Sequence, residues 1–145
     1  MAGNMYPLIE IEANVGFARP GGYNTASDGS TPGGETAIST LFTPGANGSI
    51  VYRILVHNSQ IVVNVSGAMV VRFFVTDDAG QNPRLWREYT LPSAIRSTIV
   101  VGAALEITLP GRGLFLLSGQ LLKCCQSVYA GVQDMVDFVA EGADF

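Results

Sequence analysis

The sequence predicts an all-β fold, an antiparallel β-sandwich of jelly-roll type with an extended N-terminal arm. Three observations predict it. The chain has 145 residues, the size of one ordinary domain. Short runs rich in Val, Ile, Phe, Tyr and Thr recur along it, which is the composition of strands. Gly, Pro, Asn and Asp punctuate those runs at the spacing of a sandwich or barrel. A fold of this size buries roughly 70% of the surface its unfolded chain exposes, so a core forms without disulfides or a structural metal.

Residues 8–17 alternate apolar and polar. Ile9, Ile11, Ala13 and Val15 share one face of a strand, and Glu10, Glu12 and Asn14 share the other, the pattern of a strand with one face, the polar one, in water. Residues 18–34 hold Gly, Pro, Ser, Thr and Asn without periodicity and read as a linker. The expected organisation is therefore an arm over residues 1–34 and a sandwich over 35–145. The apolar set of the arm (Ile9, Ile11, Val15) is suited to adding to the edge of another sheet.

The remaining strands follow in order. Residues 36–43 form the first, closed by the turn Pro44-Gly45-Ala46-Asn47-Gly48. Residues 49–57 are rich in β-branched side chains, and 61–65 make a short strand. Residues 68–76 contain Val70, Val71, Phe73, Phe74 and Val75, a heavily buried strand by composition. The loop 77–83 joins it to 84–91, giving a hairpin. Residues 98–109 are another strand, turned by Pro110-Gly111-Arg112-Gly113 into 114–117. Residues 120–140 fit two patterns. Leu121, Leu122, Cys125, Val128, Val132 and Met135 recur at helical spacing, yet Gly131 and the β-rich context allow two strands, 120–127 and 132–140.

Composition excludes several classes. Charged residues are 14% of the chain beside 48% apolar, with one lysine, Lys123. Soluble domains average about 25% charged, so part of this surface is expected to lie against other chains. The net charge of −4 and scattered arginines offer no basic patch for nucleic acid. No apolar run approaches the roughly 20 residues of a membrane-spanning helix. The first residues lack the pattern of a secretory signal. Adjacent Cys124 and Cys125 read as reduced structural thiols, consistent with a reducing cytosol.

The stock for catalysis is thin. His57 is the only histidine, and no GxSxG elbow accompanies it. One histidine cannot hold a cupin-type metal. Asp77 and Asp78 offer oxygen ligands but lack the alternation of a calcium loop, and a turn explains them on backbone grounds. Asp134, Asp137, Glu141 and Asp144 make an acidic C-terminus that reads as a solvated or inter-subunit edge. Arg72, Arg84 and Arg87 lie on or beside the expected hairpin with Trp86. They fit interface hot spots equally with a core Trp86 and arginines paired to Glu88, Asp77 or Asp78. No enzyme, cofactor or metal is expected.

The ordered motifs resemble a known family. The turn Gly45-Ala46-Asn47-Gly48 is followed by VVRFFVTDDAG (70–80), LWREYTLP (85–92), ITLPGRGLFLLSGQLLKCC (107–125) and VAEGADF (139–145). In that order they resemble small virion structural proteins of tailed phages and prophages, some of them capsid decoration or cement proteins. The likeness covers roughly residues 38–145. Lys123-Cys124-Cys125-Gln126 departs from the small polar residues usual there, and residues 1–34 lie outside it.

The resemblance implies two strands over 120–140. It also implies a homotrimer, since decoration proteins commonly occupy three-fold positions of a capsid. The partners would be the chain itself and a major capsid protein, in a virion assembled in the host cytoplasm. Two other readings stay open: a tail-fibre or appendage module binding receptor or carbohydrate, with Trp86, Tyr89, Tyr23 and Tyr129 as its aromatic stock, and a small β-sandwich enzyme.

Overall fold

The computed structural model describes residues 12–20, 38–59, 64–65, 68–93, 95–96, 102–127 and 135–145. Among them the regular structure is all strand. The first sheet contains β1 (Glu12–Ala18), β11 (Val136–Asp144), β3 (Ser49–Asn58) and β8 (Ala104–Thr108) in that order, with β9 (Leu114–Leu116) also on β3. The second contains β2 (Ser39–Phe42), β10 (Leu122–Gln126), β5 (Met69–Val75) and β6 (Arg84–Leu91). A two-stranded sheet pairs β4 (Asn64–Val65) with β7 (Ile95–Arg96). Every pairing is antiparallel.

Number the principal strands β1, β2, β3, β5, β6, β8, β10 and β11 from one to eight. The sheets then read 1-8-3-6 and 2-7-4-5. That is the winding of a jelly roll, so the expected fold class is the observed one. The two sheets bury one core between them, in which Phe42, Ile54, Phe73, Leu116, Leu122 and Phe138 are essentially inaccessible. The Phe73 and Phe138 rings, one from each sheet, meet edge to face at 5.8 Å. Residues 122–126 and 136–144 are both strands, which resolves the C-terminal ambiguity toward the two-strand reading.

Three expectations change. Residues 12–18, read as part of an arm, form β1 within the sandwich, paired along their whole length with β11 of the same chain. The strand therefore completes its own sheet's edge. Its facing is also reversed. Ala13, Val15 and Phe17 point to solvent, while Asn14, Gly16 and Ala18 point inward. The reason is steric. A Cβ on Gly16 would overlap the Leu41 carbonyl oxygen of β2, so this strand approaches the opposite sheet with its smallest residues.

The third change concerns residues 110–113, which do not reverse the chain. β8 pairs with the second half of β3 and β9 with its first half, both antiparallel to it. The segment is one strand interrupted by a loop. Gly111 and Gly113, both at φ +71°, let that loop bulge out and return to the same edge. The Leu109 amide donates to the Tyr52 carbonyl at 2.9 Å and holds the junction. The short strand expected at 61–65 is described only at Asn64–Val65, and residues 98–101 lie outside the described residues.

Candidate functional site

Side chains alternate across a strand, and directly paired residues of neighbouring strands share a face. The register therefore defines the outer face of the first sheet row by row. One row is Ala13, Ala143, Ile50 and Phe115. The next is Val15, Glu141, Arg53 and Thr108. The third is Phe17, Val139, Leu55 and Glu106. Asp137, His57 and Ala104 form the last. Tyr52 stands in the bulge of β3 between the first two rows and is exposed.

This face is apolar to an unusual degree. Phe17 is 72% exposed, Phe115 56%, Val15 47% and Tyr52 46%. Leu117, just past β9, is 63% exposed. Phe145 stacks on Phe115 at 5.3 Å and extends the patch at one end. Among exposed large apolar side chains of the described residues, only Leu85 lies on the second sheet.

The charges on this face are largely paired within it. Arg53 Nε donates to Glu141 at 2.6 Å, and its Nη1 donates to Glu106 at 3.3 Å. The Arg53 hydrogen bond and charge hold the Glu141 carboxyl below its ordinary range. Arg19 grips Asp137 with two bonds, at 2.5 and 2.7 Å, and lowers that carboxyl likewise. His57 lies opposite Asp137 in the register, but the carboxylate faces Arg19.

A second polar cluster ties the strands together from the inside. Asp144 accepts from Ser49 Oγ, from Asn14 Nδ2 at 2.8 Å and from the Gly45 amide at 3.2 Å. Partial burial raises this carboxyl, and the bonds from Ser49, Asn14 and Gly45 outweigh that and leave it lowered. The C-terminal acids thus divide by strand alternation: Asp137 and Glu141 face out, and Asp144 faces in. Asp134 lies outside the described residues.

Asp77 shapes its own loop. It accepts from Asn82 Nδ2 and the Gln81 amide, both at 2.7 Å, and from the Ala79 amide at 3.2 Å. The bonds from Asn82 and Gln81 lower its carboxyl. Among the described residues, no three or more His, Cys, Asp or Glu converge as metal ligands.

The expected interface residues fall in two places. Val15 is on the outer face of the first sheet, and Ile9 and Ile11 lie outside the described residues. Arg72, Arg84, Trp86 and Arg87 are all on the β5–β6 pair of the second sheet. Arg72 bonds Glu88 at 3.2 Å. Arg87 lies over the Trp86 ring at 5.1 Å and donates to Tyr89 Oη at 3.3 Å. Trp86 and Tyr89 are half-buried and pack against the core.

A hollow of about 440 Å³ also opens beside Phe17, Arg19 and Asp137, and another of about 470 Å³ beside Arg84, Trp86 and Gln120. In the second, Gln120 is committed to the Leu117 amide and the Thr76 carbonyl. Tyr23 and Tyr129 lie outside the described residues. Cys124 faces the core and Cys125 the opposite side, both free and buried. Burial pushes the Cys125 thiol up to about 11 and Cys124 well above its usual range.

Sequence reasoning did not find the outer face as a unit. The signal was present in Phe17, Tyr52 and Phe115, but only the register brings them together. Among the described residues, the eight principal strands wind as a jelly roll, a class that includes viral capsid and lectin domains.

No protein-family model matches the chain, and no curated protein matches it. Among solved structures, it is similar to a chain in a cryo-EM structure of a virus-like particle of the extra small virus of the giant freshwater prawn Macrobrachium rosenbergii. The TM-score is 0.40 at 12% identity, over 95% of this chain and 82% of that one.

Proposed function

We propose that this chain is a non-enzymatic virion structural protein: a capsid decoration or cement protein, working as a homo-oligomer, that binds and stabilises an assembled shell. One observation carries the reading. Phe17, Phe115, Val15 and Tyr52 stand exposed on one face of one sheet, in a chain with only 14% charged residues. An apolar sheet face of that kind marks a protein–protein contact. The ordered motifs of residues 38–145, which resemble small phage virion proteins, support the same assignment.

The mechanism is mechanical. Many copies bind the assembled shell better than its free subunits and so stabilise it by mass action. Multivalent attachment makes modest single contacts sufficient. The β5–β6 pair, with Arg84, Trp86 and Arg87, offers a separate surface, on the other sheet, and this one is assigned to the major capsid protein, since Trp and Arg are among the side chains that most often anchor interfaces.

Quantitative mass spectrometry of purified particles tests the reading. A fixed, stoichiometric ratio of this chain to the major capsid protein is expected, with particles lacking it breaking at lower temperature. Absence from particles, or presence only in trace amounts, overturns it.

A further inference from the structure

We infer that the outer face of the β1-β11-β3-β8 sheet, with β9, is where copies of this chain bind one another, its occupant being a second copy and not the capsid. The inference rests on the reading of the chain as an assembling structural protein and names the surface that reading needs.

The layout of the face argues for a copy. Its first row is entirely apolar and its third nearly so, and the row between them carries Arg53 beside Glu141. Glu106 lies on the other side of Arg53. Apolar rows flanking a row with both charge signs are self-complementary. When two such faces pack, apolar rows cover apolar rows, and Arg53 of one copy lies within reach of a carboxylate of the other. Arg19 and Asp137 cancel each other at the edge, so the face carries little net charge to call for a basic or acidic partner.

The size approaches that of a stable interface. Four strands spaced by ~4.8 Å and seven residues rising ~3.4 Å each give roughly 400 Å² in projection. Two copies then cover roughly 800 Å² in projection. The relief of Phe17, Tyr52, Phe115 and Leu117 brings the accessible area toward the roughly 1,200–2,000 Å² of stable interfaces. Sheets that pack face to face lie ~10 Å apart, a gap that side chains of this size fill.

The test uses the full chain. Light scattering across a concentration series gives its association state, and hydroxyl-radical footprinting reads side-chain protection on the unmodified protein. Phe17, Tyr52 and Phe115 are expected to lose reactivity several-fold as copies associate, while Leu85 on the second sheet keeps its own. Phe17→Asp and Tyr52→Asp, at positions exposed in the single chain, are expected to weaken association at least a hundredfold without changing the circular dichroism. Leu85→Asp is the control and leaves association unchanged.

A chain that stays monomeric at all accessible concentrations overturns the inference. So does an oligomer whose footprint spares Phe17, Tyr52 and Phe115. The two proposals fail distinguishably: a chain found stoichiometrically on particles but monomeric alone sinks this one, with the homo-oligomer, and leaves the virion role standing. An oligomer built through this face but absent from particles sinks only the virion role.

Discussion

Replacing Asp144 with Ala removes one carboxylate that joins three parts of the fold. It accepts from Ser49 at the start of β3, from Asn14 in β1 and from the Gly45 amide in the turn after β2. Hydrogen bonds to a charged group contribute about 1.5–3 kcal/mol each when the donor is left bare. The Gly45 amide keeps the Ser49 hydroxyl at 2.9 Å, and Asn14 keeps one of its two N–H bonds, to the Thr43 carbonyl at 3.0 Å, while its other N–H, on a half-buried side chain, turns to water. The net loss is therefore about that of one bond, roughly 1.5–3 kcal/mol. With an unfolding entropy of about 2.1 cal/mol/K per residue, a chain of 145 residues loses roughly 5–10 °C in Tm.

The effect has a sign in pH. The Asp144 carboxyl is lowered in the folded chain, so its stabilisation is present above the ordinary Asp value of about 3.9 and fades as pH falls through the folded value. Thermal melts by circular dichroism at pH 7 and at pH 3 measure both. The variant is expected to melt well below the wild type at pH 7, with a narrower difference at pH 3. A melt within a degree of wild type at neutral pH refutes the reasoning, as does a difference that stays constant or widens in acid.

Three other outcomes are expected. Gly16→Ala forces a methyl group onto the Leu41 carbonyl and parts β1 from β2, costing about 3 kcal/mol in urea unfolding; no change would show that the inward face of β1 is misassigned. Cys124 and Cys125 stay silent to a thiol reagent at pH 8 in the native protein and react only on denaturation, because both are buried with raised pKa values; rapid native labelling would contradict that burial. Arg19→Ala, at an exposed ion pair, changes stability by less than about 1 kcal/mol; a larger loss would mean that the pair anchors β1 rather than decorating it.

Strand bodies were legible in the sequence because their composition suffices. Residues 69–75 carry Val and Phe on both sides, and no other element accommodates that pattern. The direction of β1 was not legible. Alternation separates two faces but does not say which is inside, and Gly16 decides it only because Leu41 passes beneath.

The β8–β9 junction read as a turn because Pro110-Gly111-Arg112-Gly113 has turn chemistry. Glycines at positive φ serve a bulging loop equally well, and only the pairing of both strands with β3 distinguishes the two. The ion pairs of the outer face were out of reach for another reason. Arg53 meets Glu141 and Glu106 across 88 and 53 residues of sequence, distances that only the sheet order closes. Low charge led to the expectation of surface covered by other chains, but Phe17 and Phe73 look alike in a sequence, and burial alone separates the exposed ring from the core one.

Light scattering on the full chain, from dilute to concentrated solution, tests the central claim most directly. A discrete homo-oligomer, dispersed by Phe17→Asp and untouched by Leu85→Asp, is the expected result. A clean monomer across the whole range would contradict it, because Phe17, Tyr52 and Phe115 would then stand in water with no copy of the chain to cover them.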